Sequence, residues 1–296
     1  MTVSLAPSPA LIGDISANTF SPTFQRYLNA GLTYSKRVTG RNPAIGTSMS
    51  DVWGYPSTTH GATQLIRTLP TVGFTLAVCS DSAADTGAGT GARTVLVQYL
   101  DTNGLPWVAT YTLNGQTAVT VATSITAGFL PGSGAGGTVS NALSINDMVV
   151  LTAGSGLANA GNIYVFDSSS TVTAGVPQTT TKVFACAMAG DNTNATAAYT
   201  IPSGYLGALT MGITGLQTVG TSNVFGKMIL QIDNNGNQVF VSTPINNVAC
   251  NCAPSVVQQN LVSILPGLTN FRIQVQTGAT GAEAVAVFNL LLWPAV

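Results

Sequence analysis

The chain alternates short apolar and polar runs with turn-forming stretches, a pattern that predicts β-strands separated by turns. Strands with period-two alternation or short apolar runs are predicted first at residues 64–69, 71–79, 94–100, 107–113, 118–125, 144–152, 161–166 and 182–188. A second series is predicted at residues 206–213, 226–232, 238–243, 261–265, 271–277 and 284–292. We therefore expect an all-β protein of antiparallel sheets, arranged as a β-sandwich or a jelly roll.

The first fifty residues differ from the rest. Residues 1–50 hold four basic residues and one acidic residue, whereas residues 51–296 hold five basic and nine acidic residues. Four prolines indicate irregular backbone, although residues 21–28 have the capping and spacing of a short helix. We expect an N-terminal arm over residues 1–50 that anchors on a partner; the alternative is an ordinary solvated tail. Its candidate contact residues are Tyr27, Tyr34, Arg37 and Arg41.

The β body is expected to cover residues 51–296. A boundary near residues 195–205 would divide it into two stacked lobes, while a single long jelly roll fits the strand spacing equally well. The sequence leaves both arrangements open.

Composition agrees with a β protein that assembles. Charged residues make up 6% of the chain, against about 25% in ordinary soluble domains. Glu283 is the single glutamate of the sequence, so exposed helices laced with Glu and Lys are not expected. Mean hydropathy is +0.36, yet the apolar runs fall short of the roughly 18 residues of a membrane span, and no membrane contact is expected. Low charge instead suggests a surface covered by neighbouring subunits.

The cysteines do not form a recognisable framework. Cys250 and Cys252 are too close to bridge each other without strain, and the other two cysteines lie far away in sequence. The start of the chain carries no recognisable secretory signal, so synthesis in a cytoplasm and reduced thiols are expected. A zinc site would lack the paired C-x₂-C spacing, and neither a metal nor another cofactor is expected.

A glycine-rich stretch between two predicted strands is the most distinctive motif. Asp85 is followed by Gly87, Gly89, Gly91 and Arg93, then by a strand that ends in the turn residues Asp101 to Gly104. A phosphate-binding loop needs a helix after the glycines, and here a strand follows. The stretch is therefore predicted to be a structural motif. Arg93 is expected to tie the loop, or Asp81, Asp85 or Asp101, to the strand; an intersubunit contact is the alternative.

This motif resembles a pattern shared by a family of tailed-bacteriophage virion structural proteins. The pattern is D-x-x-x-G-T-G-A-R, a hydrophobic strand, L-D-x-x-G and then T-L-N-G, matched here from Asp85 through Gly104 to residues 112–115. Further matching segments lie at residues 51–53, 199–204, 266–275 and 285–292. An acidic residue expected before T-L-N-G is absent, since residues 107–110 read Trp-Val-Ala-Thr, and Thr-Asn-Phe at residues 269–271 replaces a T-D-I step.

The residues give little support for catalysis. His60 lies in a Ser/Thr-rich stretch without a neighbouring signature, so no triad is predicted. Asp81 and Asp85 are predicted to accept local backbone hydrogen bonds; a Ca²⁺ site and a glycosidase pair are the alternatives. Residues 233–237 read as a hairpin turn that lacks the distal glutamate of a calcium loop. Large aromatics outside the strand pattern are expected in a core or interface, with a sugar-binding platform as the alternative: Trp53, Tyr55, Trp107 and Trp293.

The resemblance implies a non-enzymatic virion protein that decorates or cements a phage head. It implies the major capsid protein and other virion proteins as partners, a homotrimer, and a location on the head surface. A nucleic-acid partner is not expected, because the basic residues are few and scattered. The alternative is a head-fibre or tail adsorption protein that binds host surface glycan.

Overall fold

The computed structural model describes residues 33–55, 64–127, 138–218, 224–233, 240–250, 255–259, 263–278 and 281–295. Two single-turn 3-10 helices, Val139–Asn141 and Thr180–Lys182, accompany the strands in these ranges. The strands are β1 Tyr34–Ile45, β2 Ser50–Asp51, β3 Leu76–Ser80, β4 Ala92–Asp101, β5 Pro106–Thr112, β6 Ser124–Ala127, β7 Ala142–Ala153, β8 Ile163–Asp167, β9 Val172–Thr173, β10 Val176–Pro177, β11 Val183–Ala187, β12 Ala198–Thr200, β13 Tyr205–Thr218, β14 Val224–Asp233, β15 Val241–Cys250, β16 Ser255–Gln259, β17 Ser263–Leu265, β18 Asn270–Thr277 and β19 Ala282–Pro294. Every strand pairing in these ranges is antiparallel, which confirms the all-β prediction.

Two sheets are built from the two ends of the described chain. One has the order β1-β19-β13-β16, with β17 also paired to β13; the other has the order β12-β18-β14-β15, with β2 also paired to β18. Without the short strands β2 and β17, the eight strands follow the orders 1-8-3-6 and 2-7-4-5 in chain sequence. Eight strands ordered in this way form a jelly roll. We call residues 33–55 and 195–295 the jelly-roll unit.

The core of the jelly-roll unit lies between these two sheets. Alternate residues of β19 point inward from one sheet, and Phe271, Ile273 and Val275 point inward from the other. Phe271 and Phe288 meet edge to face across the core, with ring centroids 6.4 Å apart. Burial of such apolar side chains contributes roughly 25 cal/mol per Å² of area removed from water, so this layer stabilises the unit.

The strands β3 to β11 form a second unit inserted between β2 and β12. A four-stranded sheet, β6-β5-β4-β7, and a three-stranded sheet, β11-β8-β3, share a core that includes Val95, Val97 and Tyr111. The hairpin β9-β10 lies on the other side of the three-stranded sheet, where Val172 and Val176 pack on a third apolar cluster. We call residues 64–70 the linker and residues 71–194 the inserted unit. The chain returns to the jelly-roll sheets at β12, inside the stretch of residues 195–205.

The N-terminal arm differs from the prediction over its C-terminal part. Residues 34–45 form the strand β1, which pairs with β19 along ten register positions, so they belong to the jelly-roll unit. Val38 and Ile45 are buried in its core, and Pro43 lies where the register shifts between Asn42 and Ile45. Proline is tolerated at such a bulge of an edge strand, which is why proline here did not mean irregular backbone. Tyr27 and the helix predicted over residues 21–28 lie outside the described residues.

Two predicted strands are irregular in the structure. Residues 64–69 are not a strand, because the backbone N–H of Arg67 donates to the Asp51 carboxylate, 2.6 Å away, instead of to a neighbouring strand. In the stretch predicted as residues 118–125, only β6 from Ser124 onward forms a strand, and Val119 makes a single bridge to Val78. Side-chain and turn hydrogen bonds thus replace sheet pairing at both places.

Candidate functional site

Asp85 is the centre of the glycine-rich motif. Its carboxylate is fully buried and accepts four hydrogen bonds: from the Ser80 hydroxyl at 2.6 Å, and from the backbone N–H groups of Ala92 at 2.6 Å, Ala160 at 2.8 Å and Gly161 at 2.9 Å. These donors belong to the end of β3, the start of β4 and the turn before β8. One carboxylate therefore fastens three chain segments together.

The glycines of the motif allow the backbone to come close to this carboxylate. A Cβ atom at Gly91 would collide with Asp85 Oδ1, and one at Gly89 would collide with the carbonyl oxygen of Ala84. The N–H of Gly87 donates to the carbonyl of Leu113 at the end of β5, 3.0 Å away. The glycines thus make a compact loop of backbone hydrogen bonds, and the loop is held from inside by a side chain.

Arg93 contacts the loop and not an aspartate. Its Nε donates to the carbonyl of Gly89 at 3.0 Å, and the side chain is partly buried. This bond ties the glycine loop to the first residues of β4.

Asp101 and Gly104 organise the turn between β4 and β5. Asp101 Oδ1 accepts from the N–H groups of Asn103 and Leu105, both at 2.9 Å, and its Oδ2 accepts from the indole N–H of Trp107 at 3.0 Å. Gly104 has φ +74°, a left-handed conformation that glycine adopts without steric cost. The L-D-x-x-G part of the motif is therefore a side-chain-capped turn that also orients a core tryptophan.

Asp81 is also held by donors of the protein itself. Its oxygens accept from the backbone N–H and the side-chain amide of Asn162, at 2.8 and 2.7 Å, and from the Tyr164 hydroxyl at 3.0 Å. The prediction of local hydrogen bonds was wrong for Asp81, whose partners lie 81 and 83 residues further along the chain, and two of the four donors to Asp85 are similarly distant. Carboxylates surrounded by N–H and O–H donors are poor cation ligands, because the donor hydrogens occupy their lone pairs. In the part of the chain that the structure describes, no cluster of three or more His, Cys, Asp or Glu residues could hold a metal ion.

The predicted arm contacts are mostly used within the chain. Arg41 Nε donates to Glu283 at 2.6 Å across the β1-β19 pair, and this bond raises the pKa of Arg41. Tyr34 packs against the jelly-roll core, and burial raises the pKa of its hydroxyl. Arg37 is exposed. Tyr34 and Arg41 thus serve the fold of this chain, while Tyr27 lies outside the described residues.

One buried charge cluster was not predicted from the sequence. The Asp51 carboxylate accepts from the Arg67 backbone N–H at 2.6 Å and the Gln274 amide at 2.8 Å, and lies 3.6 Å from the Arg272 guanidinium. The Arg67 guanidinium donates to the carbonyls of Ile145 and Phe184, at 3.2 and 3.3 Å. Burial lowers the pKa of Arg67 to about 10, so it remains charged at neutral pH.

This cluster joins the two units. Asp51 and Arg272 belong to the jelly-roll unit, while Ile145 and Phe184 belong to the inserted unit. Beside it, the side-chain amide of Asn146 exchanges two hydrogen bonds with the backbone of Thr200, at 2.9 and 3.0 Å. These residues lie far apart in sequence, so no local spacing identifies them. The one signal in the sequence was that Asp51, Arg67 and Arg272 are charged residues in a chain with few charges.

The four large aromatics are core residues. Trp53, Tyr55, Trp107 and Trp293 are 2%, 6%, 4% and 4% exposed. Trp53 stacks on Tyr55 with ring centroids 5.0 Å apart, and its indole N–H donates to the carbonyl of Gln64 at 3.1 Å. None of the four presents an open ring face on which a sugar could stack.

Cys79 and Cys186 are buried free thiols on the three-stranded sheet, where each pairs in register with Tyr164. Burial raises the pKa of the Cys79 thiol to about 12 and that of Cys186 well above its ordinary value. Both are therefore protonated and unreactive in the folded protein. The side chains of Cys250 and Cys252 and the whole of His60 lie outside the described residues.

The candidate interaction surface is the outer face of the four-stranded sheet. Alternate residues of β4, β5, β6 and β7 point away from the core and are partly or well exposed. Asp147 on β7, opposite Gln98, is a charged member of this set and pairs with Lys36. Seven uncharged members lie next to it: Leu96, Val108, Thr110, Thr112, Thr126, Val149 and Leu151. Leu151 is 48% exposed. The ion pair between Lys36 and Asp147 lies beside this surface, where the jelly-roll unit meets β7. We call these seven residues the outer face.

Comparisons with known proteins add little. No protein-family model matches the chain, and no curated protein matches it. Similar solved structures include the T13 particle of infectious bursal disease virus, with 10% identity over 89% of this chain and 72% of that chain and a TM-score of 0.22. The Gx strain of the same virus gives 8% identity, coverage of 89% and 76%, and a TM-score of 0.20. Its VP2 subviral particle gives 11% identity, coverage of 89% and 75%, and a TM-score of 0.18.

TM-scores of this size do not establish a shared fold, and they carry no argument about function. Among the described residues, none of the helices is long and apolar enough to cross a bilayer.

Proposed function

We propose that this chain is a non-enzymatic structural component of a virus particle, a decoration or cement protein on the head of a tailed phage. The observation that carries the proposal is the outer face, seven uncharged residues on a sheet surface of the unit inserted into a jelly roll, where Asp147 beside them is paired with Lys36. The resemblance of the Asp85–Gly104 motif to phage virion proteins supports the same assignment. The proposed partners are the major capsid protein and other virion proteins.

The chemistry of the polar groups supports a structural role. The aspartates that could have formed a catalytic pair, Asp81 and Asp85, are held by hydrogen-bond donors from the protein itself. General acid-base and nucleophilic catalysis need groups that are free to exchange protons or attack a substrate. The jelly roll alone does not decide the function, because it occurs in viral capsid domains and also in lectins.

The outer face suits contact with another protein. The buried centres of protein interfaces are depleted of charge, as this surface is. A lysine placed at its centre would have to lose its hydration on binding, at a cost of several kcal/mol without a partner charge.

The test is attachment to particles. Heads that lack the native protein are mixed with the wild-type chain or with Val108→Lys, and occupancy is measured. Val108→Lys is expected to keep its melting temperature and to lose attachment, whereas Thr173→Lys, at an exposed site on β9, keeps both. Full occupancy by Val108→Lys would show that this surface does not carry the attachment.

We further propose that the protein acts as a homotrimer. Three copies of a 30.1 kDa chain give a mass near 90 kDa in sedimentation equilibrium. A monomer in solution and on particles would contradict this part of the proposal. Binding to host glycan is not proposed, because the aromatics that could have formed a sugar platform are buried.

A further inference from the structure

A small cavity lies at the junction of the two units. Its volume is about 140 Å³. Leucine side chains from the linker, the inserted unit and the jelly-roll unit line it: Leu69, Leu100, Leu143 and Leu268. Four polar residues also line it: Thr102, Ser144, Thr200 and Asn270. The cavity therefore has both apolar and polar walls, and we call the hydroxyl pair of Ser144 and Thr200 its polar spot.

The polarity of that spot is fixed by a chain of hydrogen bonds. The Asn270 amide nitrogen donates to the buried Asp233 carboxylate at 3.3 Å, which turns the Asn270 Oδ1 toward Thr200. Thr200 Oγ1 donates to that oxygen at 2.6 Å, so the single hydroxyl proton of Thr200 is used.

The bond between Ser144 and Thr200 must then run in one direction. Their hydroxyl oxygens are 2.7 Å apart, and Ser144 has to be the donor because Thr200 has no second proton. Both protons are consumed inside the protein, and lone pairs remain at the polar spot. A ligand there is recognised as a hydrogen-bond donor.

We propose that this cavity binds a small neutral molecule with an apolar body and one hydroxyl donor, such as a short cyclic or branched alcohol. An apolar protein cavity of about 150 Å³ is known to hold a molecule as large as benzene. Because the walls come from both units, an occupant would contact them together and stabilise their arrangement.

The test compares two compounds of equal size and different polarity. Cyclopentanol carries a donor, and cyclopentanone is an acceptor alone. Cyclopentanol is expected to raise the melting temperature of the full chain saturably at millimolar concentration, and to bind about fivefold more tightly than cyclopentanone, the ratio for one neutral hydrogen bond. Equal binding of the two compounds, or no saturable binding of either, would overturn the proposal; the second result would mean that the cavity holds water only.

Two variants make the assignment specific. Leu143→Phe fills the cavity and is expected to abolish binding of both compounds. Thr200→Val removes the acceptor of the Ser144 proton, which then points to the ligand, and it also frees Asn270 Oδ1 as an acceptor. The preference for the alcohol is therefore expected to fall. Thr173→Val, away from the cavity, should keep the wild-type preference. An unchanged preference in a folded Thr200→Val variant would contradict the proposed polarity; if that variant does not fold, the wild-type ratio and Leu143→Phe still decide.

Discussion

A buried carboxylate with four donors shows how single residues control the inserted unit. Each oxygen of Asp85 accepts two hydrogen bonds, so an amide at this position would turn its NH₂ group against two donors in either orientation. Leaving a buried donor unsatisfied costs about 1–3 kcal/mol.

Asp85→Asn is therefore expected to lower the free energy of unfolding by about 2–6 kcal/mol. Chemical denaturation at neutral pH measures the change. The control is Asp191→Asn, which weakens a surface contact with Arg41 at 3.8 Å and should cost at most about 1 kcal/mol. An Asp85→Asn variant as stable as this control would show that the carboxylate does not organise the motif.

The buried thiol and phenol groups should make the stability of the protein sensitive to alkali. Burial raises the pKa of the Cys79 thiol from 9.0, and those of the Tyr55 and Tyr99 hydroxyls from 10.0, to about 12 in each case. Between the pKa values of these groups in the unfolded chain and pH 12, the folded state holds more protons than the unfolded state. The stability that burial of the protonated groups provides is therefore fully present below about pH 9 and is lost as the pH rises.

The melting temperature should thus be level at pH 7–8 and fall steadily above pH 9. Each group contributes up to about 1.4 kcal/mol of lost stability per pH unit. Cys79→Ala removes one of the groups and should make the fall less steep, which differential scanning calorimetry can resolve. A constant melting temperature up to pH 11 would contradict the burial of these side chains.

For single residues, the sequence predicted structural roles best where the interacting residues are neighbours in the chain. The structural role of the motif was predicted from its glycines, its aspartates and the strand after them, which are neighbours in the chain. The hydrogen bonds from residues 160–164 to Asp81 and Asp85 were not predicted, because that segment is distant in sequence. The Asp51–Arg67–Arg272 cluster could not be predicted, because its residues meet only after two units have folded against each other.

The strand β1 is the element whose structure differs most from the sequence prediction. It pairs with β19 from Tyr34 to Ile45 and covers one edge of the jelly-roll core. Its charged residues Lys36, Arg37 and Arg41 looked like an exposed arm, yet charge is a common feature of edge strands, where it discourages pairing with other chains. Periodicity alone does not distinguish these two situations.

Removing residues 2–45 should therefore abolish the cooperative thermal transition, since it uncovers β19 and part of the core. Removing residues 2–32 leaves every described strand in place and should retain the transition. Circular dichroism during heating compares the two truncated chains. A cooperative melt without residues 2–45 would mean that β1 is dispensable and that the arm prediction was right for these residues.

The whole molecule consists of two β units joined by a polar seam. From the sequence, residues 195–205 were a candidate boundary between two lobes, and a single long jelly roll was left equally open. The sequence did not indicate that residues 33–55 belong with the C-terminal strands, because hydrophobic pattern carries no information on which distant strands pair. The linker residue Arg67 connects the units through its backbone and its side chain.

Asp51→Asn tests this seam. The substitution leaves the buried guanidinium groups of Arg67 and Arg272 without a counter-charge, and breaking a buried charge pair costs about 3–5 kcal/mol. Hydrogen exchange should increase first at the β7 and β12 backbone along the seam. Asp167→Asn, which weakens a surface pair with Lys182 at 3.9 Å, is the control. Unchanged exchange at the seam would show that the cluster does not hold the units together.

The most direct test of the proposed function is a cryo-electron microscopy reconstruction of the purified particle without imposed symmetry. We expect this chain on the head surface, with Leu96, Val108 and Thr110 of the outer face buried against another virion subunit. Absence of the chain from the particle, or its presence with that face open to solvent, would contradict this expectation.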